Sequence, residues 1–238
     1  MLYLVPTPLG NLEDVTRRAL STLAAVKAVY CEDTRRTRQL LSHFGISVPT
    51  LRYDDRDRRG VASALERLRR GDDLALVSDG GTPVLSDPGL RLVAAARAEG
   101  LPVSSLPGPS AVAAAVAGSG LPGDSFVFLG FLPRSPGRRR KALEAAAALG
   151  RTLVVYESPH RVLTLLDELA AVLGPAAQVA AARELSKLHE EWLIGTPAEV
   201  RARLAARERV LGELVVCAHP VRPDEAEQEE PHDPRHHA

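Results

Sequence analysis

Short apolar runs alternate with stretches in which apolar residues recur at helical spacing. Residues 2–5, 28–31 and 74–77 are apolar runs that read as strands, as does 103–106, and 13–25, 34–44, 60–70 and 87–99 carry the helical repeat, with Gly71 and Gly100 placed as helix stops. Strand–helix alternation of this kind predicts right-handed crossovers and a mostly parallel sheet. A second cycle begins after an Ala-rich helix at 110–117 and the turn GSGLPGD. It predicts strands at 126–129, 152–156, 178–182, 191–194 and 213–218, with helices at 138–149, 160–173 and 197–206. The last two strands lack a long helix between them and read as a hairpin, which makes the second sheet mixed. The expected fold class is therefore α/β, with one α/β domain over 1–110 and another over 111–220. A cleft between two such domains is a favoured place for a ligand. Residues 221–238 are rich in Pro, Glu, Asp and His, have no apolar periodicity, and are expected to be a disordered acidic tail.

Composition narrows the class. The 238 residues are 45% hydrophobic and 25% charged, ordinary for a soluble globular protein. No run of apolar residues is long enough to span a bilayer, and MLYLVPTPLG lacks the basic start and long apolar stretch of a signal peptide, so a cytoplasmic protein with no membrane partner is expected. Cys31 and Cys217 each end an apolar run and fit buried reduced thiols better than a disulfide or a metal pair. A metal role for the tail histidines His232, His236 and His237 has little behind it, and no metal is expected.

The formal charge of zero conceals an asymmetry. Six acidic and two basic groups follow Val221, leaving 28 basic against 24 acidic groups in the body of the chain. Lys27, Lys141 and Lys187 are the only lysines, so the positive charge is almost entirely arginine, which suits both phosphate recognition and a GC-rich genome.

Candidate chemistry lies in the loops after the strands. SDGGTPVLSDPG (78–89) alone fits either a long turn, for steric reasons, or a ligand site at the carboxyl end of a parallel strand. It is not alone: VPTPLGN (5–11), CEDTRRT (31–37) and LPGPSA (106–111) would project from the same edge. GFLPRSPGRRR (130–140), YESPHR (156–161) and ARELSK (182–187) do so in the second domain. Neither GxGxxG nor GxxxxGK[ST] is present, so the usual dinucleotide and P-loop cradles are unsupported.

In this order and spacing the seven motifs resemble those of the ribosomal RNA small subunit methyltransferase I family, over roughly residues 2–218. The resemblance implies S-adenosylmethionine-dependent methylation of the ribose 2′-oxygen of a cytidine in the decoding region of 16S ribosomal RNA, with the small ribosomal subunit as partner. It also implies the two-domain tetrapyrrole methylase fold, a donor cleft between the domains and a homodimer. Many members continue into a small helical domain where this sequence has its acidic tail. By position in the motifs, Leu9, Asp79, Gly81, Thr82, Ser110 and Ala111 would line the donor pocket, completed by Tyr156, Ala182 and Glu213. Gly80 and Gly81 would let backbone approach the ligand, and Asp79 would accept from a polar donor group or satisfy its own loop as an Asx-turn.

A ribose hydroxyl is a weak acid, so a general base or a cation beside the developing alkoxide is expected. Glu32, Asp33, Glu157, Glu184 and Lys187 are candidates, with Glu157 and Lys187 the preferred pair; structural ion pairs are the alternative reading. For RNA phosphates the candidates are Arg35, Arg36, Arg38, Arg134, Arg138, Arg139, Arg140, Arg161 and Arg183. Tyr53, Tyr156 and Phe131 are candidates for stacking on a base, though aromatics make up only 4% of the chain.

Overall fold

In the computed structural model, which describes residues 1–220, the chain divides into two compact units. The first comprises Met1–Ala114 with Glu184–Glu190, and the second Ala115–Arg183 with the described residues from Glu191 on. The tail from 221 on, with its candidate histidines, lies outside the described residues.

The first unit is built on five parallel strands, β1 (Leu2–Leu4), β2 (Ala28–Cys31), β3 (Thr50–Arg52), β4 (Leu74–Leu76) and β5 (Val103–Ser105), in the order β3-β2-β4-β1-β5. The inner strands β1, β2 and β4 are short and apolar on both sides because helices cover both faces, while the edge strands β3 and β5 are half-exposed. Leu2, Leu4, Ala28, Tyr30, Leu74 and Leu76 meet α3 (Arg58–Arg69) and α4 (Leu90–Ala98) through Leu65, Leu68, Leu92 and Ala96. Val5, Val29, Cys31, Ala75 and Val77 meet α1 (Arg17–Ala25) and α2 (Thr34–His43) through Ala19, Leu23 and Leu41. The division follows from the strand order. Leaving β1 the chain moves toward β2, and leaving β4 it moves the other way to β5, so right-handed crossovers place the two sets of helices on opposite faces. β1 and β4 are neighbours whose following loops diverge, which is the switch point where open α/β sheets hold ligands.

Helix boundaries follow local capping rather than the apolar repeat. The helix expected from residue 13 begins at Arg17, because Thr16 accepts a 3.0 Å bond from the Ala19 amide, and Asn11 caps a separate 3-10 turn at Leu12–Asp14. α4 starts at Leu90 rather than 87, after Gly89 at φ 139°. Strand β3, a half-exposed edge strand, is one the apolar pattern does not announce.

The second unit carries β6 (Phe126–Phe131), β7 (Thr152–Glu157), β8 (Gln178–Arg183), β9 (Glu191–Gly195) and β10 (Leu214–His219), in the order β6-β7-β10-β8-β9. The sheet is mixed, as expected, but the hairpin is elsewhere. β9 pairs antiparallel with β8, while β10 runs antiparallel between β7 and β8 and is not a neighbour of β9. The fully buried run Leu214–His219 takes the centre of the sheet; the half-exposed β9 takes the edge. One face packs Leu153, Val155, Val179, Ala181, Leu193, Leu214 and Val216 on α6 (Pro136–Ala147), α7 (Val162–Leu173) and α8 (Pro197–Ala205). Thr196 closes a reciprocal capping box with Glu199 at the start of α8.

Cys31 and Cys217 are free and buried; burial pushes the Cys217 thiol up to about 12 and raises that of Cys31 as well. Among the described residues no helix is long and apolar enough to cross a membrane, and no group of three or more His, Cys, Asp or Glu is arranged to hold a metal ion.

Candidate active site

The loops after β1, β4 and β5 interlock at the switch point of the first sheet. Thr7 and Gly81 exchange two backbone hydrogen bonds of 3.0 and 2.8 Å, and the Thr7 hydroxyl donates to the Ser78 carbonyl at 3.0 Å. Ser78 Oγ donates to the Gly81 carbonyl at 3.1 Å, and Thr82 Oγ1 donates to the Pro109 carbonyl at 2.9 Å, tying the third loop to the second. Glycine leaves room where side chains of the first loop press on the other two. A Cβ on Gly81, whose φ is +83°, would stand 3.1 Å from Leu9 Cδ2, and one on Gly108 would stand 2.8 Å from Pro6 Cβ. Leu9, Gly81 and Thr82 are thus held in one mutually supporting structure, with Ser110 and Ala111 at the start of α5 (Ala111–Gly118) on the third loop.

Asp79 stands beside them. One carboxylate oxygen accepts from the Asp33 amide at 3.3 Å and the other lies 3.8 Å from Arg36 Nη1. Asp33 in turn caps α2, accepting from the amides of Arg35 at 2.8 Å and Arg36 at 3.4 Å, and these bonds hold its carboxyl below the usual range. That capping role accounts for Asp33, and Glu32 beside it is exposed. A concavity of about 380 Å³ opens here. Thr7, Pro8, Leu9, Gly10, Ser78 and Asp79 line it on the loop side, and Arg36, Thr37, Gln39, Leu40 and His43 on the α2 side. Its volume is within the range of small-molecule sites.

The segment Glu184–Glu190 packs against the same loops, a placement that nothing in its own residues signals. Lys187 lays its stem where a Gly10 side chain would be, since a Cβ there would fall 2.1 Å from Lys187 Cγ. Its ammonium donates to Glu184 Oε1 at 2.9 Å, and Ser186 Oγ donates to Asp14. Glu184 and Ser186 have φ of 54° and 63°, and Val84 and Ser86 in the loop after β4 have 76° and 65°. Four non-glycine residues at positive φ, a β-branched valine among them, put stored backbone strain on these two loops, where ligand-holding segments concentrate it.

Glu157 does not fit the role expected of it. It is only 2% exposed, and its Oε1 accepts from the Ser158 amide at 2.7 Å and pairs with Arg161 at 2.7 Å, while Oε2 is buried with no partner among the described residues, so the carboxylate does not face solvent. Arg161 is accounted for by the same pair and by the Leu132 carbonyl. Arg139, expected among the phosphate contacts, is 6% exposed and binds Glu168 through two bonds of 2.6 and 2.7 Å. Arg183 donates to Glu191 at 2.9 Å and to the Leu211 carbonyl. These three arginines serve the second unit's structure and are not available to RNA phosphates. Arg140 is exposed but paired with Glu144 at 2.7 Å. Arg38 bonds Thr50 through Nε. Arg35, Arg36, Arg134 and Arg138 are exposed.

Arginines crowd the helix starts, even where Asp33 and Asp57 cap α2 and α3. α1, α2, α3 and α6 each place two or more arginines in the first turn and no acid there, against the helix dipole. Helix starts that combine backbone amides with arginines suit anionic ligands.

In the second unit the remaining candidates fall on one row across the sheet. Phe131, Tyr156, Val215, Ala182 and Trp192 are register partners on β6, β7, β10, β8 and β9. Tyr156 is half-buried and Ala182 fully buried, with Glu213 exposed just before β10. Gly118 lies against this row, where a Cβ would meet Trp192 Cζ2 at 2.6 Å. Tyr53 is 1% exposed and donates to Asp55 at 2.6 Å, which removes it from the stacking candidates.

A family model described as Tetrapyrrole (Corrin/Porphyrin) Methylases matches residues 1–201. The ribosomal RNA small subunit methyltransferase I of Mesorhizobium japonicum is 46% identical over 233 residues, covering 98% of this chain and 78% of its own. Among solved structures, a cobalt precorrin-4 methyltransferase of cobalamin biosynthesis aligns with a TM-score of 0.69 at 16% identity, over 91% of this chain and 93% of its own. A uroporphyrin-III C-methyl transferase from Thermus thermophilus, complexed with S-adenosylhomocysteine, aligns with a TM-score of 0.63 at 21% identity, over 91% and 96%. At those identities the likeness is one of fold.

Proposed function

The chain belongs to the tetrapyrrole methylase family and, within it, to the ribosomal RNA small subunit methyltransferase I family, and from that premise we propose that it methylates the ribose 2′-oxygen of a cytidine in the decoding region of 16S ribosomal RNA. The observation that carries the reading is the interlocked PTPLGN, SDGGTP and PGPSA loops at the sheet's switch point, in a chain of this family.

The residues fit S-adenosylmethionine. Gly80 and Gly81 let the loop after β4 close on Leu9, which gives the concavity an apolar surface, and Asp79 adds a partly exposed carboxylate to its lining. When bound, the donor supplies an electrophilic sulfonium methyl. By the family resemblance Leu9, Asp79, Gly81, Thr82, Ser110 and Ala111 would hold it from the first unit, and Tyr156, Ala182 and Glu213 would be the second unit's contribution. Holding donor and ribose in line accounts for much of the acceleration in such a transfer. The Glu184–Lys187 pair is the reacting group of choice, because Lys187 rests on the donor-side loop at Gly10 while Glu157 is buried in its own ion pair. The ammonium would stabilise the developing alkoxide and the carboxylate would take the proton. Exposed Arg35, Arg36, Arg134 and Arg138 would contact phosphates, in the assembled small subunit, with the enzyme acting as a homodimer.

Alkaline hydrolysis tests the chemistry. Small-subunit RNA labelled by the enzyme should release the label in one alkali-resistant dinucleotide with a 5′ cytidine; label recovered on a mononucleotide base would refute ribose methylation.

A further inference from the structure

β6 ends in an exposed aromatic ring that the fold holds in place. Phe131 is 58% exposed, yet its ring stands edge-on to Tyr156 at 5.6 Å, and Tyr156 packs on Phe128 at 5.0 Å. The register with β7 shifts between Phe128 and Gly130, just before the strand end that carries it. The backbone just beyond is pinned as well, since the Leu132 carbonyl accepts from Arg161, itself locked to buried Glu157. Arg134, in the turn to α6, and Arg138, in the first turn of α6, are exposed and have no carboxylate partner among the described residues. The neighbouring Arg139–Glu168 pair fixes the turn that presents Arg138. No acidic residue occurs from Phe131 to Leu143.

A fixed, solvent-facing ring flanked by unpaired arginines matches an unstacked nucleobase with its adjoining phosphates. Bases stack on aromatic faces and arginines take the backbone, which is how single-stranded RNA is bound. We propose that Phe131, backed by Tyr156, is a stacking platform for one unpaired base of the RNA strand, with Arg134 and Arg138 on its phosphates. This rests on the RNA reading above but adds a contact that positions the strand. An apolar contact with a second copy of the chain is the competing use of the ring. Charge speaks against it, because Arg134 and Arg138 have no acidic counterpart in the segment to meet in a self-complementary face.

The test uses the full chain and a single-stranded RNA carrying one 2-aminopurine, whose fluorescence falls on stacking. Wild type should quench the probe. Phe131→Ala should abolish quenching and weaken binding about tenfold, within the range for removing one aromatic–base stack, and Phe131→Trp should restore both. Arg134→Ala/Arg138→Ala should lower the salt slope of binding by about 1.4, as expected for two single-strand phosphates. Subunit methylation by the same preparations separates the two claims. A wild type that methylates subunits without quenching any probe position overturns the platform and leaves the function standing. Quenching without methylation does the reverse. A Phe131→Ala chain that binds RNA like wild type but sediments as a smaller species assigns the ring to a second copy and overturns the proposal.

Discussion

Gly81→Ala tests whether the interlocked loops are a donor site or only a turn. Residue 81 has φ +83°, and an alanine there carries about 1–2 kcal/mol of left-handed strain. For a chain of this size that lowers Tm by about 2–4 °C per kcal/mol. Strain alone would say nothing about function, so the control is Gly45→Ala, where φ is +67° and nothing lies within 4 Å of a Cβ. Both variants bear the backbone cost, but only one meets a neighbour. The methyl added at Gly81 would sit 3.1 Å from Leu9 Cδ2, inside the roughly 3.5–4.0 Å optimum for carbon contacts. Leu9 must then withdraw by about half an ångström, against a loop anchored by the Thr7–Gly81 bonds of 3.0 and 2.8 Å. Displacement of that order in a preorganised site should weaken donor binding about tenfold, or ~1.4 kcal/mol. Thermal melts and calorimetric titration with S-adenosylhomocysteine read the two effects separately. Similar Tm losses with weakened binding only in Gly81→Ala support the site; unchanged binding in Gly81→Ala refutes it.

Other outcomes follow from the charge placements. Arg139→Met should destabilise the second unit by about 3 kcal/mol in chemical denaturation, since it strands Glu168, and Arg139→Met/Glu168→Leu should recover most of the loss. Hydrogen bonds from Arg207, then Arg183, hold the Glu191 carboxyl down at about 2. Its stabilisation is therefore complete above the unfolded carboxyl's pKa of about 4.3 and is lost as pH falls toward 2, so the Tm gap between wild type and Glu191→Gln should narrow over that window. Lys187→Met, which keeps the stem on Gly10, should lower kcat about 100-fold with donor affinity unchanged; an unchanged kcat would remove Lys187 from the reaction.

Much of the site is legible in the chain because it is made of loops with distinctive residues. The run from Ser78 to Gly89 says where backbone must turn and approach closely, and Gly81 and Gly89 do occupy positive φ. Apolar runs, by contrast, mark strands without ordering them. Leu214–His219 carries no sign that it inserts between β7 and β8 rather than pairing with the strand before it, because the order is decided by which run buries best. Charged residues mislead wherever their partner is distant in sequence. Arg139 sits in a run of cations and looks available to a phosphate until Glu168, 29 residues on, is folded against it. Glu157 looks reactive in YESPHR, and its burial depends on strands that pattern alone cannot pack. The return of Glu184–Glu190 to the first unit is equally invisible, since its anchors are Gly10 and Asp14.

This fold is shared with enzymes named for tetrapyrrole methylation, whereas the substrate proposed for this chain is RNA. The most direct measurement offers both substrates to one enzyme: small ribosomal subunits and a uroporphyrin-type tetrapyrrole, with S-adenosylmethionine labelled in the methyl group. The label should appear in the small-subunit RNA, at one cytidine ribose, and the tetrapyrrole should stay unlabelled. Label on the tetrapyrrole, with none on the RNA, would contradict the account.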